Sequence, residues 1–112
     1  MNLYWVTTED HHEDWFVLAK NPQTAQVFFE EYEGYDDDMA QAMLVCPVDI
    51  AEVAADWANH ALLESLGAKI QELESGRVVH LLGNTYAEGM LEGIIRQCDA
   101  AVRLKIVPPL SL

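Results

Sequence analysis

The chain has 112 residues, 51% hydrophobic and 22% charged; that length holds one domain, and that composition excludes a disordered chain. Six Lys and Arg against nineteen Asp and Glu leave a net charge of −13, which argues against direct binding to nucleic acid or to an anionic membrane, both of which carry charge of the same sign. The longest stretches without Asp, Glu, Lys or Arg, Met39–Val48 and Val78–Ala87, are ten residues each, short of the ~18–20 that a membrane-spanning helix needs.

Leu3–Thr8 and Trp15–Ala19 are rich in aromatic and β-branched residues and read as two strands. Between them, Glu9–Asp14 is wholly polar, so the pair reads as a hairpin with a polar tip. Both strands are apolar at consecutive positions, which predicts that both faces are covered. Asn21-Pro22 is a helix start, with Asn as N-cap and Pro in the first turn. Ala25, Phe28, Phe29 and Tyr32 then share one face, and Gly34 ends the helix. Gly34–Asp38 reads as a loop. Met39–Cys46 has helix-favouring residues, but Leu44-Val45-Cys46 before Pro47 is extended in character, so a strand is expected from about Ala42.

Asp49 and Glu52 mimic a capping box. Ile50, Val53, Ala54, Trp57, Ala58, Ala61 and Leu62 follow at helical period, which predicts a long helix ending at Gly67, with Trp57 buried at its centre. Lys69–Glu74 and Arg77–Leu82 read as strands joined by Ser75-Gly76. Gly83-Asn84 reads as a tight turn. Thr85-x-x-Glu88 resembles a capping box, and Ala87, Met90, Leu91, Ile94, Ile95, Cys98 and Val102 share a face, which predicts a last helix. Pro108-Pro109 ends regular structure. The expected order is ββαβαββα: a single two-layer α+β domain over residues 1–112, with a largely antiparallel sheet packed by three helices.

Charge is unevenly spread. Residues 1–66 hold fourteen acids and one base, Lys20, whereas residues 67–112 hold five of each. Solubility alone accounts for such a balance; the sharper reading is an acidic face aimed at a basic partner. Its densest part is Glu30, Glu31 and Glu33 followed by Asp36, Asp37 and Asp38. Calcium binding there finds no support in the spacing, and a hydrated acidic turn is the commoner outcome.

The second candidate is the hairpin tip. Asp10, His11, His12 and Asp14 combine imidazole and carboxylate, which together bind a divalent metal or move protons near neutral pH. The commoner outcome for consecutive polar residues at a turn is a solvated tip, and the spacing is neither HExxH nor an EF-hand. His60 and His80 are further imidazoles without a placed partner. Gly89 and Gly93, four apart in the expected last helix, read as a close-packing surface or a subunit contact. Cys46 and Cys98 lie in apolar segments too far apart for a CxxC pair, and read as reduced core residues. No export signal is legible, so the expected location is the cytoplasm. No cofactor is called for.

The opening Tyr4-Trp-Val-Thr-Thr-Glu-Asp-His-His-Glu-Asp-Trp-Phe16 resembles that of small bacterial proteins, with a weaker likeness at Gly89–Gly93. It covers about a fifth of the chain. The resemblance implies a bacterial or phage origin and brings across no catalytic residue.

Together these features are read as a small acidic interaction module whose partner is a basic protein surface. Its narrower form is an accessory or inhibitor protein whose carboxylates imitate nucleic-acid phosphates. The alternatives are a small metal-dependent enzyme using the His11/His12 loop, and a homo-oligomeric structural subunit joined through the Gly89/Gly93 helix.

Overall fold

The computed structural model describes residues 1–9, 13–73 and 76–90. The chain divides into two compact units, Met1–Asn59 and His60–Leu112.

The first unit is built on the expected hairpin. Strands β1 (Asn2–Thr8) and β2 (Glu13–Ala19) pair antiparallel, with Trp5 opposite Phe16 and Val6 opposite Trp15. Strand β3 (Ala40–Pro47) pairs with the other side of β1, and a bulge at Val45 shifts the register between Leu3 and Tyr4. Successive side chains point to opposite faces. Tyr4, Val6, Val17, Ala19 and Ala40 pack with Ala25 and Phe29 of helix α1 (Pro22–Glu33). Leu3, Trp5, Phe16 and Leu18, on the opposite face, are buried as well. The hairpin is thus covered on both sides, as its unbroken apolar runs require. Burying a side chain such as Phe29, which is 0% exposed, is worth roughly 1.5–3 kcal/mol.

Helix α1 has the termini read from the sequence. Asn21 Oδ1 accepts the Thr24 N–H at 2.8 Å, and Pro22 stands in the first turn. Gly34 stops the helix in the left-handed region, at φ 75°, where a side chain costs most. Its N–H and that of Tyr35 both reach the Glu30 carbonyl.

Two expected helices are corrected. The long helix from Asp49 does not form: residues 48–55 are irregular, Asp56–Trp57 make a short strand, β4, and only His60–Ser65 are helical, as α2. Much of the predicted stripe was alanine, which buries little area. Trp57 gains more elsewhere: it pairs with Val17 in β2, and its ring lies against Trp15, Phe28, Phe29 and Tyr32. Ala58 adds an N–H to the Phe16 carbonyl at 3.1 Å. Ile50 and Val53, expected to be buried, are 39% and 54% exposed.

In the second unit, β5 (Lys69–Leu73), β6 (Gly76–Leu81) and β7 (Asn84–Met90) pair antiparallel in that order. Residues 84–90 are therefore strand where a helix was expected; residues 91–102 of that prediction lie outside the described residues. Leu82 and Gly83 both have positive φ, 51° and 80°, the two-residue turn whose twist matches paired strands. The supposed capping box acts across the sheet instead. Thr85 Oγ1 lies 3.0 Å from His80 Nδ1, and Glu88 pairs with Arg77 directly opposite. Gly89, expected on a close-packing or subunit-contact face of that helix, sits opposite Gly76 in the ladder; Gly93 is outside the described residues.

Among the described residues, 21% are helical and 49% strand. The expected two-layer fold with three helices gives way, among the described residues, to seven antiparallel strands and two helices, in the order ββαββαβββ.

Candidate functional site

The C-terminal turn of α1 and the loop after it gather most of the exposed acids of the first unit. Helical spacing sends Glu30 inward with Phe29 and leaves Glu31 and Glu33 outside. Glu30 is only 4% exposed. Its Oε2 accepts the buried Ala40 N–H at 3.0 Å and lies 3.4 Å from Gln26 Nε2. It fastens the start of β3 to the helix, so it leaves the set of residues expected to meet a partner. Asp36, Asp37 and Asp38 are exposed in a turn closed by the Met39 N–H on the Asp36 carbonyl. Asp38 holds φ 65°, a region Asp and Asn enter more readily than other side chains, and its Oδ1 accepts from Gln26 Nε2 at 3.2 Å.

Tyr32, between Glu31 and Glu33 in the chain, is 69% exposed. It was read from the sequence as part of the apolar stripe. Its ring leans on Phe28 (5.4 Å between centroids) and edge-on to Trp57 (5.5 Å). The inner side of the ring is supported while the outer side faces solvent. An aromatic ring beside carboxylates suits a guanidinium or ammonium group, which is attracted by both.

Beside it is a second group that the sequence reading did not assemble. Glu13 accepts from Trp15 Nε1 (3.0 Å) and from the Tyr35 hydroxyl (3.1 Å). Burial, foremost, and then the charge of Glu13 and a hydrogen bond with it push the Glu33 carboxyl above its ordinary value of 4.5. The sequence pattern puts Glu13 in the polar tip, but it opens β2 and its carboxylate accepts from Tyr35 just after α1. No spacing rule connects positions 13, 33 and 35; only the return of β2 alongside the helix end brings them together.

The other expected site is not assembled. Asp10, His11 and His12 lie outside the described residues. Asp14, the fourth member, is 4% exposed and sits within β2 opposite Thr7, not on a loop tip. Among the described residues, no three His, Cys, Asp or Glu side chains are placed to hold a metal ion. His60 lies between Glu64 and Glu72, with Nδ1 3.0 Å from Glu72 Oε1, and His80 meets Thr85. Cys46, expected in the core, is half-buried on β3, and burial raises its thiol pKa. Lys20, the only Lys or Arg in residues 1–59, lies 3.7 Å from Glu52. Among the described residues, no helix is long and apolar enough to cross a membrane.

No protein family, curated protein or solved structure matches the chain.

Proposed function

We propose that this protein is a small acidic interaction module that engages a basic surface of another protein through Glu31, Glu33, Asp36, Asp37 and Asp38, together with the exposed Tyr32. One observation carries this reading: the acids stand at the wrong end of their helix. A helix carries partial positive charge at its N-terminus and negative charge at its C-terminus. The first turn of α1 contains no acid and its last turn no base. Glu31 and Glu33 instead crowd the negative end, and three aspartates follow. Each carboxylate so placed costs about 0.3–1 kcal/mol at low ionic strength. The helix dipole disfavours this arrangement, and a cationic partner would relieve it.

The narrower form is an accessory or inhibitor protein whose carboxylates take the place of nucleic-acid phosphates on a nucleic-acid-binding partner. The supporting chemistry is shared: Arg and Lys side chains that meet phosphate also meet carboxylate, and Arg does so bidentately.

The test is capture of partners on the immobilised protein at low and high salt. It is repeated with a variant carrying Asp36→Lys, Asp37→Lys and Asp38→Asn. Asn at position 38 suits the positive φ and keeps an acceptor for Gln26. A basic protein held at low salt, released at high salt and lost by the variant is the expected result. Retention by the variant, or at high salt, would overturn the role of this turn.

A further inference from the structure

Among the described residues, β3 is an edge strand, paired on one side only, by β1. Alternate residues of such an edge present N–H and C=O groups outward, a template for another strand. Proteins ordinarily blunt such edges with lysine, proline, inward charges, bulges or short length. β3 has few of these defences. It runs eight residues, and Met39–Val48 contains no Asp, Glu, Lys or Arg. Its Pro47 stands at the far end, and its bulge falls at Val45, leaving Ala40–Leu44 in regular register. Met43 and Leu44 are 57% and 60% exposed. Charge stands only beyond the two ends: Asp36, Asp37 and Asp38 before the strand, Asp49 and Glu52 after it, all exposed.

We propose that the β3 edge takes up an extended segment of the partner as an added strand. The segment would carry apolar side chains opposite Met43 and Leu44 and Lys or Arg at both ends. This rests on the reading of the protein as a module for basic partners, and names how the partner is held. Backbone hydrogen bonds along Gln41–Leu44 supply the attachment, the Ala40 N–H being already held by Glu30. The acidic flanks select the occupant. They also disfavour a second copy of this chain: antiparallel β3–β3 pairing brings Asp36–Asp38 of one protomer toward Asp49 of the other, like charge against like charge.

The probe is a synthetic peptide of about ten residues, the upper end of usual strand lengths, with Val and Thr alternating in its centre and lysines at both ends. One twin is N-methylated at alternate central amides, which blocks strand pairing at unchanged charge. The other has glutamates in place of the lysines. Binding is followed by calorimetry, and amide exchange by NMR on the full chain. The expected result is salt-sensitive binding of the lysine peptide, slowed exchange at alternate amides of Gln41–Leu44, and roughly tenfold or greater weakening on N-methylation, the loss of one or two hydrogen bonds. Equal binding of the N-methylated twin overturns strand addition while leaving the acidic face as a basic-partner site. Equal binding of the glutamate twin overturns the basic occupant, and with it the reading on which the proposal rests. A concentration-dependent dimer with the same amides protected, in the absence of peptide, also overturns it, by assigning the edge to a second copy.

Discussion

Glu30→Ala removes the acceptor of the Ala40 N–H, a donor buried where the chain enters β3. A buried donor left without a partner costs about 1–3 kcal/mol, and a bond to a carboxylate is worth roughly 1.5–3 kcal/mol net. The contact from Gln26 is long, at 3.4 Å, and adds little. We expect a loss of about 2–3 kcal/mol, large against a typical domain stability of 5–15 kcal/mol. Glu30→Gln removes the same carboxylate but keeps a carbonyl oxygen within reach of Ala40, so it should lose no more than about 1 kcal/mol. Urea unfolding measures both, as a shift in midpoint at constant slope. Partner binding and its salt dependence should be unchanged in Glu30→Gln, because a buried carboxylate does not touch the partner. An alanine variant within about 0.5 kcal/mol of the parent, the range of surface substitutions, would refute the structural role. So would a glutamine variant as damaged as the alanine one.

Trp57→Ala should destabilise by about 2–4 kcal/mol, toward the lower part of the range for Trp truncation because the ring is only partly buried; a calorimetric melt unchanged from the parent would show that its contacts with Phe28 and Tyr32 are idle. Leu82→Asn should stabilise by roughly 1 kcal/mol, because Leu82 holds φ 51° with a side chain 64% exposed and Asn tolerates that region better; a lower urea midpoint would refute the turn geometry. Glu33→Gln should alter the pH dependence of stability. The folded chain binds the Glu33 proton more tightly than the unfolded chain, so Glu33 lowers stability as pH rises from its ordinary value of 4.5 through the higher folded value. The variant should match the parent below pH 4.5 and melt higher at neutral pH. A variant that melts lower at neutral pH than below that value, relative to the parent, would reverse the sign and refute a Glu33 pKa raised by burial and by Glu13.

What could be read in advance depended on whether local signals stood alone. The first hairpin and α1 were legible because their signals are mutually consistent: paired apolar runs, Asn21-Pro22 at one helix end, Gly34 at the other. The helix expected from Asp49 failed because its period rested on Ala54, Ala58 and Ala61, whose burial is worth little against one tryptophan with several ring contacts. The helix expected from Thr85 failed for a different reason. Thr85 and Glu88 fit a capping box locally, but each has a better partner across the strand in His80 and Arg77. Those partners become visible only once the turn at Leu82-Gly83 is known. The acidic segment was legible as composition, not as a site. Of its six named residues, the sequence does not show that Glu30 turns inward, or that Tyr32 is the exposed ring among the rest. Glu13 joins them through a strand return that sequence proximity does not record.

That separation bears on how the proposed interaction would work. A net charge of −13 sets the field in which a cationic partner approaches, and such fields act mainly on the rate of encounter. They hold little specificity, because every exposed carboxylate contributes and salt screens them alike. Specificity requires groups with fixed geometry. Tyr32 is such a group, its ring braced by Phe28 and Trp57. The β3 edge is another, its hydrogen-bonding groups spaced by the ladder to β1. Glu30 links the two, since one carboxylate ties the helix bearing Tyr32 to the first residue of β3. The buried acid would thus serve binding without touching the partner. It sets the position of the acidic turn between an aromatic anchor and a strand edge, so that charge draws the partner in while ring and backbone hold it.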